Sequence, residues 1–182
     1  MALGPNGTIL WVNEGWREFA RANGGPDIAT KFGPGTSYFD PIAPPLRSFY
    51  EDALQNALLT GEPFEQDYEC SSPDTFRLHH LRALPFGTQG LLLEHSLLVE
   101  HPAEHPDAPA ITARYTNEHG QILQCANCRR ARRVEGGSWD WVRPWVRETP
   151  GNASHGICSA CMDYYWGARL RGAAGARPER GP

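Results

Sequence analysis

The pairs Cys125-Ala126-Asn127-Cys128 and Cys158-Ser159-Ala160-Cys161 constrain this chain more than any other feature. Two residues between cysteines let a tight turn aim both thiolates at one ion. Two such knuckles complete a tetrahedral all-sulfur shell, which suits Zn²⁺ at a Zn–S distance of ~2.3 Å. The expected ligands are Cys125, Cys128, Cys158 and Cys161, and the expected role is structural, because four protein ligands leave no open position for substrate. A thioredoxin-like redox site would need one pair in a βαβ setting, which neither pair has. An iron–sulfur cluster would also take four cysteines, but nothing around them favours it. His155, three residues before Cys158, either replaces a cysteine or donates a hydrogen bond to a sulfur. The second role ranks higher, since four cysteines already close the shell.

The stretch between the pairs must hold structure of its own, and Trp139, Trp141, Val142, Trp145 and Val146 supply apolar groups for it. A unit of roughly 70 residues has a small core, so a metal would contribute much of its stability. Charge also sets this part of the chain off. Residues 1–112 carry a net −9 and residues 113–182 a net +5, an asymmetry that points to two units with different surfaces. Arg129, Arg130, Arg132 and Arg133 follow the first knuckle. Such a run either contacts phosphate or an acidic partner, or lies in a solvated loop that offsets the negative charge of a four-thiolate site. The second reading is preferred.

Upstream, Thr8 to Val12 reads as a strand and Asn13 as the N-cap of a helix reaching Ala22, with Trp16, Phe19 and Ala20 on one face. Leu46 to Thr60 keeps a helical apolar period, and Gly61 ends it. Three strand-like runs follow, Phe64 to Cys70, Phe76 to Leu84 and Leu91 to Val99, separated by turn-forming segments. The expected core is Trp16, Phe19, Phe49, Leu54, Leu58, Leu92 and Val99, with a pocket between the long helix and the sheet. Cys70 reads as a small buried apolar residue. No apolar run approaches the ~18 residues needed to span a bilayer. The first residues lack a basic region followed by an apolar stretch, so no secretory signal is expected. A reducing, cytoplasmic setting is then expected, where thiols serve as ligands and not as disulfides.

The phrases Gly7-Thr8-Ile9-Leu10-Trp11-Val12-Asn13-Glu14-Gly15-Trp16, Phe19-Ala20, Asn23-Gly24, Gly35-Thr36-Ser37-Tyr38, Gly61-Glu62, Tyr68-Glu69-Cys70-Ser71-Ser72-Pro73 and Glu94-His95 occur in an order that resembles the PAS family over residues 3–101. The resemblance implies an α+β fold: a five-stranded antiparallel sheet with helices on one face. It also implies a strand before the Gly7 turn, for which Met1-Ala2-Leu3 leave room for only a short one. PAS modules bind a small ligand between sheet and long helix, or bind none and mediate pairing. Leu78 and His79 stand where an aromatic pair often follows the arginine, and Ser71 where a histidine often follows the cysteine, so the resemblance names no ligand. Haem would need an axial ligand, and the sheet offers His79, His80 and His95. His79 and His80, being adjacent, point to opposite faces, and the ordinary reading makes them plain sheet residues. No flavin-type reactive cysteine motif is found.

The second unit is similar to a recurrent C-terminal segment of bacterial PAS and response-regulator proteins. Ile122 to Arg130, Gly137-Ser138-Trp139 and Ser154-His155-Gly156-Ile157-Cys158-Ser159-Ala160-Cys161 carry that likeness, with Tyr164-Tyr165 after them. It implies a signalling context. The organisation expected is a PAS-like sensor domain over 1–100, a proline-rich linker over 101–110, a four-cysteine zinc unit over 111–166 and a disordered tail over 167–182. There is no P-loop, no H-E-x-x-H, no G-x-S-x-G and no kinase, cyclase or receiver motif, so an enzyme is not expected. The function expected is a non-catalytic signalling module acting through a signalling protein partner or a homodimer. The alternative is a nucleic-acid-binding transcriptional regulator that uses the arginine cluster.

Overall fold

Asn13 begins the first helix as its sequence demands. Its side-chain oxygen accepts the Trp16 backbone N–H at 3.0 Å, which satisfies one of the helix's orphan donors. In this computed structural model, which describes residues 1–23, 25, 27–104 and 107–175, the chain divides into two units, Met1–Glu104 and His105–Pro182. Asn13 is exposed, so Asn13→Ala removes the cap and little packing. It should cost about 1 kcal/mol, read as a lower denaturant midpoint for the first unit with an unchanged slope.

The first unit runs β1 (Ala2–Leu3), β2 (Ile9–Trp11), α1 (Glu14–Ala22), α2 (Ile28–Lys31), α3 (Pro44–Thr60), β3 (Phe64–Glu69), β4 (Thr75–Pro85) and β5 (Leu91–Pro102). The helix expected from Leu46 starts two residues earlier. Pro44 and Pro45 occupy its first turn, where a missing N–H costs nothing and the fixed φ is already helical. Gly61 ends it in the left-handed region at φ 75°, donating to the Ala57 carbonyl at 2.9 Å.

The five strands form one antiparallel sheet in the order β2-β1-β5-β4-β3. The strand before the Gly7 turn is therefore present, two residues long, in the interior of the sheet. One face carries Leu3, Ile9, Leu81, Ala83, Leu91 and Leu93, all buried. On it lies α3, whose Phe49 and Tyr50 rings meet Phe64 edge-on at 6.2 and 6.5 Å. From α1, Phe19 reaches His79 on the same face.

Several expectations for this unit are corrected. Phe49 and Leu54 are buried, but Leu92, Val99 and Phe19 are exposed, while Trp16 and Leu58 are partly buried. Leu91 and Leu93 take the inner positions of β5, so the two-residue period turns Leu92 outward. Val99 lies beyond a register shift between Leu78 and His79, where β5 is exposed throughout. Cys70 is exposed: it follows the last residue of β3, which is an edge strand of the sheet. β5 also runs on into the expected linker. Pro102 pairs with Thr75 as the last residue of the strand, a position that needs no further ladder N–H.

The second unit holds α4 (Thr112–Tyr115), β6 (Ile122–Cys125), β7 (Ala131–Arg132), β8 (Trp139–Asp140), α5 (Arg143–Arg147), β9 (Ala153–Gly156) and α6 (Ser159–Gly175). Its sheet has the order β8-β7-β6-β9, with β6 and β9 parallel and the other pairs antiparallel. Tyr115, Ile122, Ala131 and Val142 make the core, with Trp145 and Ala108 packed on it. The linker's end thus belongs to this unit: Ala108 donates to the Trp141 carbonyl at 2.9 Å. Helix α6 enters the stretch expected to be a disordered tail and continues to Gly175. Ala, Leu and Arg are good helix formers, and a helix need not be amphipathic to form on an anchored first turn. Residues 176–182 of that expected tail lie outside the described residues.

Candidate metal centre

Strand β6 ends on Cys125, and a turn held by backbone bonds follows. Cys125 N–H donates to the Arg130 carbonyl at 2.8 Å and Arg129 N–H to the Cys125 carbonyl at 3.0 Å. Arg129 takes φ 59° to close this turn. Gln124, only 1% exposed, braces it: its amide donates to the carbonyls of Arg129 and Trp145, each at 3.0 Å. The parallel pairing sets Cys125 opposite Gly156, and Ala126 N–H reaches the Gly156 carbonyl at 2.8 Å. Cys158 follows two residues on, and Cys161 sits in the first turn of α6. The two knuckles therefore converge because β6 and β9 are neighbours.

The four Sγ atoms all lie within 4.8 Å of one another, and Cys128 and Cys158 Sγ are 3.7 Å apart. A tetrahedron with metal–sulfur bonds of ~2.3 Å has edges of ~3.8 Å. All four cysteines are buried. N–H groups point at the sulfurs: Cys158 N–H donates to Cys125 Sγ at 3.4 Å, Cys161 N–H to Cys158 Sγ at 3.5 Å, and the Asn127 amide to Cys161 Sγ at 3.3 Å. Hydrogen bonds of this kind favour thiolates. The thiols also act on one another. Cys125 is pushed well down by the hydrogen bond from Cys128, and Cys128 is pushed far up by Cys125. One thiolate is stabilised by its neighbours, and a second beside it is then opposed. Only a cation at the centre lets all four ionise together. The donor set, spacing and burial fit a structural metal such as zinc.

His155 does not join this group. It is exposed on β9 opposite Gln124, while the cluster consists of the four cysteines. The sulfur-directed side chain is Asn127, inside the first knuckle, whose oxygen accepts the Tyr165 hydroxyl at 2.9 Å. Asn127 and Tyr165 were not singled out from sequence. The arginine run has partners of its own. Arg129 donates to the Val146 carbonyl at 2.9 Å, Arg133 pairs with Asp140, and the Arg130 guanidinium lies 5.9 Å from the Trp141 ring centroid.

In the first unit His79, His80 and His95 split as alternation requires. His80 is on the outer face, 2.6 Å from Asp67. His79 and His95 share the inner face with Tyr68 between them, its ring stacked on His79 at 5.5 Å and its hydroxyl 2.8 Å from His95 Nδ1. Burial and the nearby Arg77 charge hold His79 below the ordinary imidazole value. A cavity of about 90 Å³ lies between α3 and the β1–β2 turn, lined by Leu3, Leu54, Leu58 and Leu91 among others. It is smaller than the ~300–1,000 Å³ of ordinary ligand sites. No helix among the described residues is long and apolar enough to cross a membrane. Compared with family models, with curated proteins and with solved structures, the chain matches none of them.

Proposed function

We propose that this chain is a non-catalytic signalling module of the cytoplasm: a PAS-like domain that binds a ligand or pairs, joined to a zinc-stabilised unit that presents a surface to a signalling protein partner. The observation that carries this reading is the closed, buried four-sulfur cluster. Zinc in such a shell has no open position, so it serves architecture and not turnover. The five-stranded antiparallel sheet with helices on one face, opening on a strand before the Gly7 turn, is what the PAS resemblance implies.

The nucleic-acid alternative draws less support. Three of the four arginines that would carry it, Arg129, Arg130 and Arg133, already have internal partners. A protein that neutralises several phosphates loses orders of magnitude in affinity between roughly 50 and 200 mM salt. The expected result with duplex DNA is no such salt-dependent binding, together with self-association at micromolar concentration or recovery of a protein partner. Tight, steeply salt-dependent DNA binding would overturn the reading. So would a monomer that binds no ligand in a thermal-shift screen and no protein from extract.

A further inference from the structure

Asn127 and Tyr165 hold the two knuckles together by a route that does not pass through a metal. Asn127 lies between Cys125 and Cys128, and its Nδ2 donates to Cys161 Sγ of the other knuckle at 3.3 Å. Its Oδ1 accepts the Tyr165 hydroxyl at 2.9 Å. Tyr165 stands one helical turn after Cys161 in α6, so both project from one face of that helix, and Tyr165 is 6% exposed. The amide can point only one way. Turned over, its oxygen would face an anionic sulfur and its N–H₂ would face the phenol. The Tyr165 hydroxyl, by donating to the oxygen, fixes the orientation that puts N–H on the sulfur.

We infer that Asn127 is a positioning residue for the metal shell and that Tyr165 acts on the shell through Asn127. This rests on the zinc reading. The contact spreads charge from the Cys161 thiolate onto the amide and holds Cys161 in register with Cys125 and Cys128 before the ion arrives. The two residues act in series, since the Tyr165 hydroxyl holds the amide orientation that directs Asn127 Nδ2 at Cys161 Sγ. Partners of this kind are worth about 10–100-fold in metal affinity.

The test is zinc affinity by competition against a chromophoric chelator, using the full chain and its Asn127→Ala, Asn127→Asp, Tyr165→Phe and Asn127→Ala/Tyr165→Phe variants. Asn127→Ala should bind zinc about 10–100-fold more weakly, and Asn127→Asp, which sets a carboxylate against the thiolate, more weakly still. Tyr165→Phe should lose less than Asn127→Ala. The double variant should equal Asn127→Ala, because residues in series are fully coupled and do not add. Substitution with cobalt gives a second readout: the sulfur-to-metal absorption bands should shift in Asn127→Ala while the tetrahedral pattern stays. Asn127→Ala within twofold of the wild type, or effects that multiply in the double variant, would overturn the inference while leaving the zinc reading standing. A wild-type chain that takes no metal would overturn both.

Discussion

Removing the metal, or replacing Cys161 with serine, will abolish the cooperative melting of the second unit and leave that of the first. The reason is the balance of terms in a small unit. Its apolar core is a handful of side chains around Tyr115, Ile122, Ala131 and Val142. Binding of structural zinc is worth about 10–16 kcal/mol near neutral pH, as much as the whole stability of an ordinary domain. Without the ion, four buried thiols must share one small space, and the hydrogen bond that favours ionisation of Cys125 opposes that of Cys128. Helix α6 loses the anchor at its first turn. The first unit has its own core of Leu3, Leu81, Leu93 and Leu54 and no part in the cluster. Calorimetry should therefore give two transitions in the native chain, and only the first unit's after chelation under reducing conditions. Cys161→Ser with both transitions intact would count against a metal-dependent second unit.

The second large effect is expected at Gly90, where β5 begins. A Cβ built there would lie 2.0 Å from the Leu3 carbonyl oxygen and 3.1 Å from the Phe86 ring. The nearest obstacle is backbone, and β1 lies between β2 and β5 with Leu3 fully buried. The Leu3 carbonyl cannot yield without moving a strand. Gly90→Ala should cost about 4 kcal/mol, at the upper end for a single substitution, and lower the first unit's melting temperature by roughly 20 °C. Gly61→Ala is the control. Gly61 also has positive φ, 75°, but a Cβ there meets nothing within 4 Å, so only the left-handed backbone is penalised, at about 1 kcal/mol. Equal losses for the two variants would contradict the role assigned to the β1–β5 contact.

What the sequence makes legible here is what local spacing encodes. The knuckles are read from two-residue gaps, Asn13 from a cap before an apolar period, and α3 from a repeat that ends at a glycine. β5 is harder. An almost continuous apolar run carries no parity, so nothing local says that Leu91 and Leu93 face inward and Leu92 outward. The parallel β6–β9 pairing joins residues about thirty apart, and the Tyr165–Asn127 bond spans 38 positions. Neither leaves a periodic trace. Proximity along the chain makes His155 a reasonable donor to a sulfur, but it stands exposed on the edge strand β9 while Asn127 reaches across to Cys161. The α6 extension is hard to read because its later turns contain Gly167, Gly172 and Gly175 and no apolar stripe.

The most direct measurement is the metal content of the full chain, purified under reducing conditions without chelator and analysed element by element. One zinc per chain, lost in Cys128→Ser and in Cys161→Ser, is the result this account predicts from Cys125, Cys128, Cys158 and Cys161. A folded chain that carries no metal, or a Cys128→Ser variant that keeps its full zinc content, would contradict it.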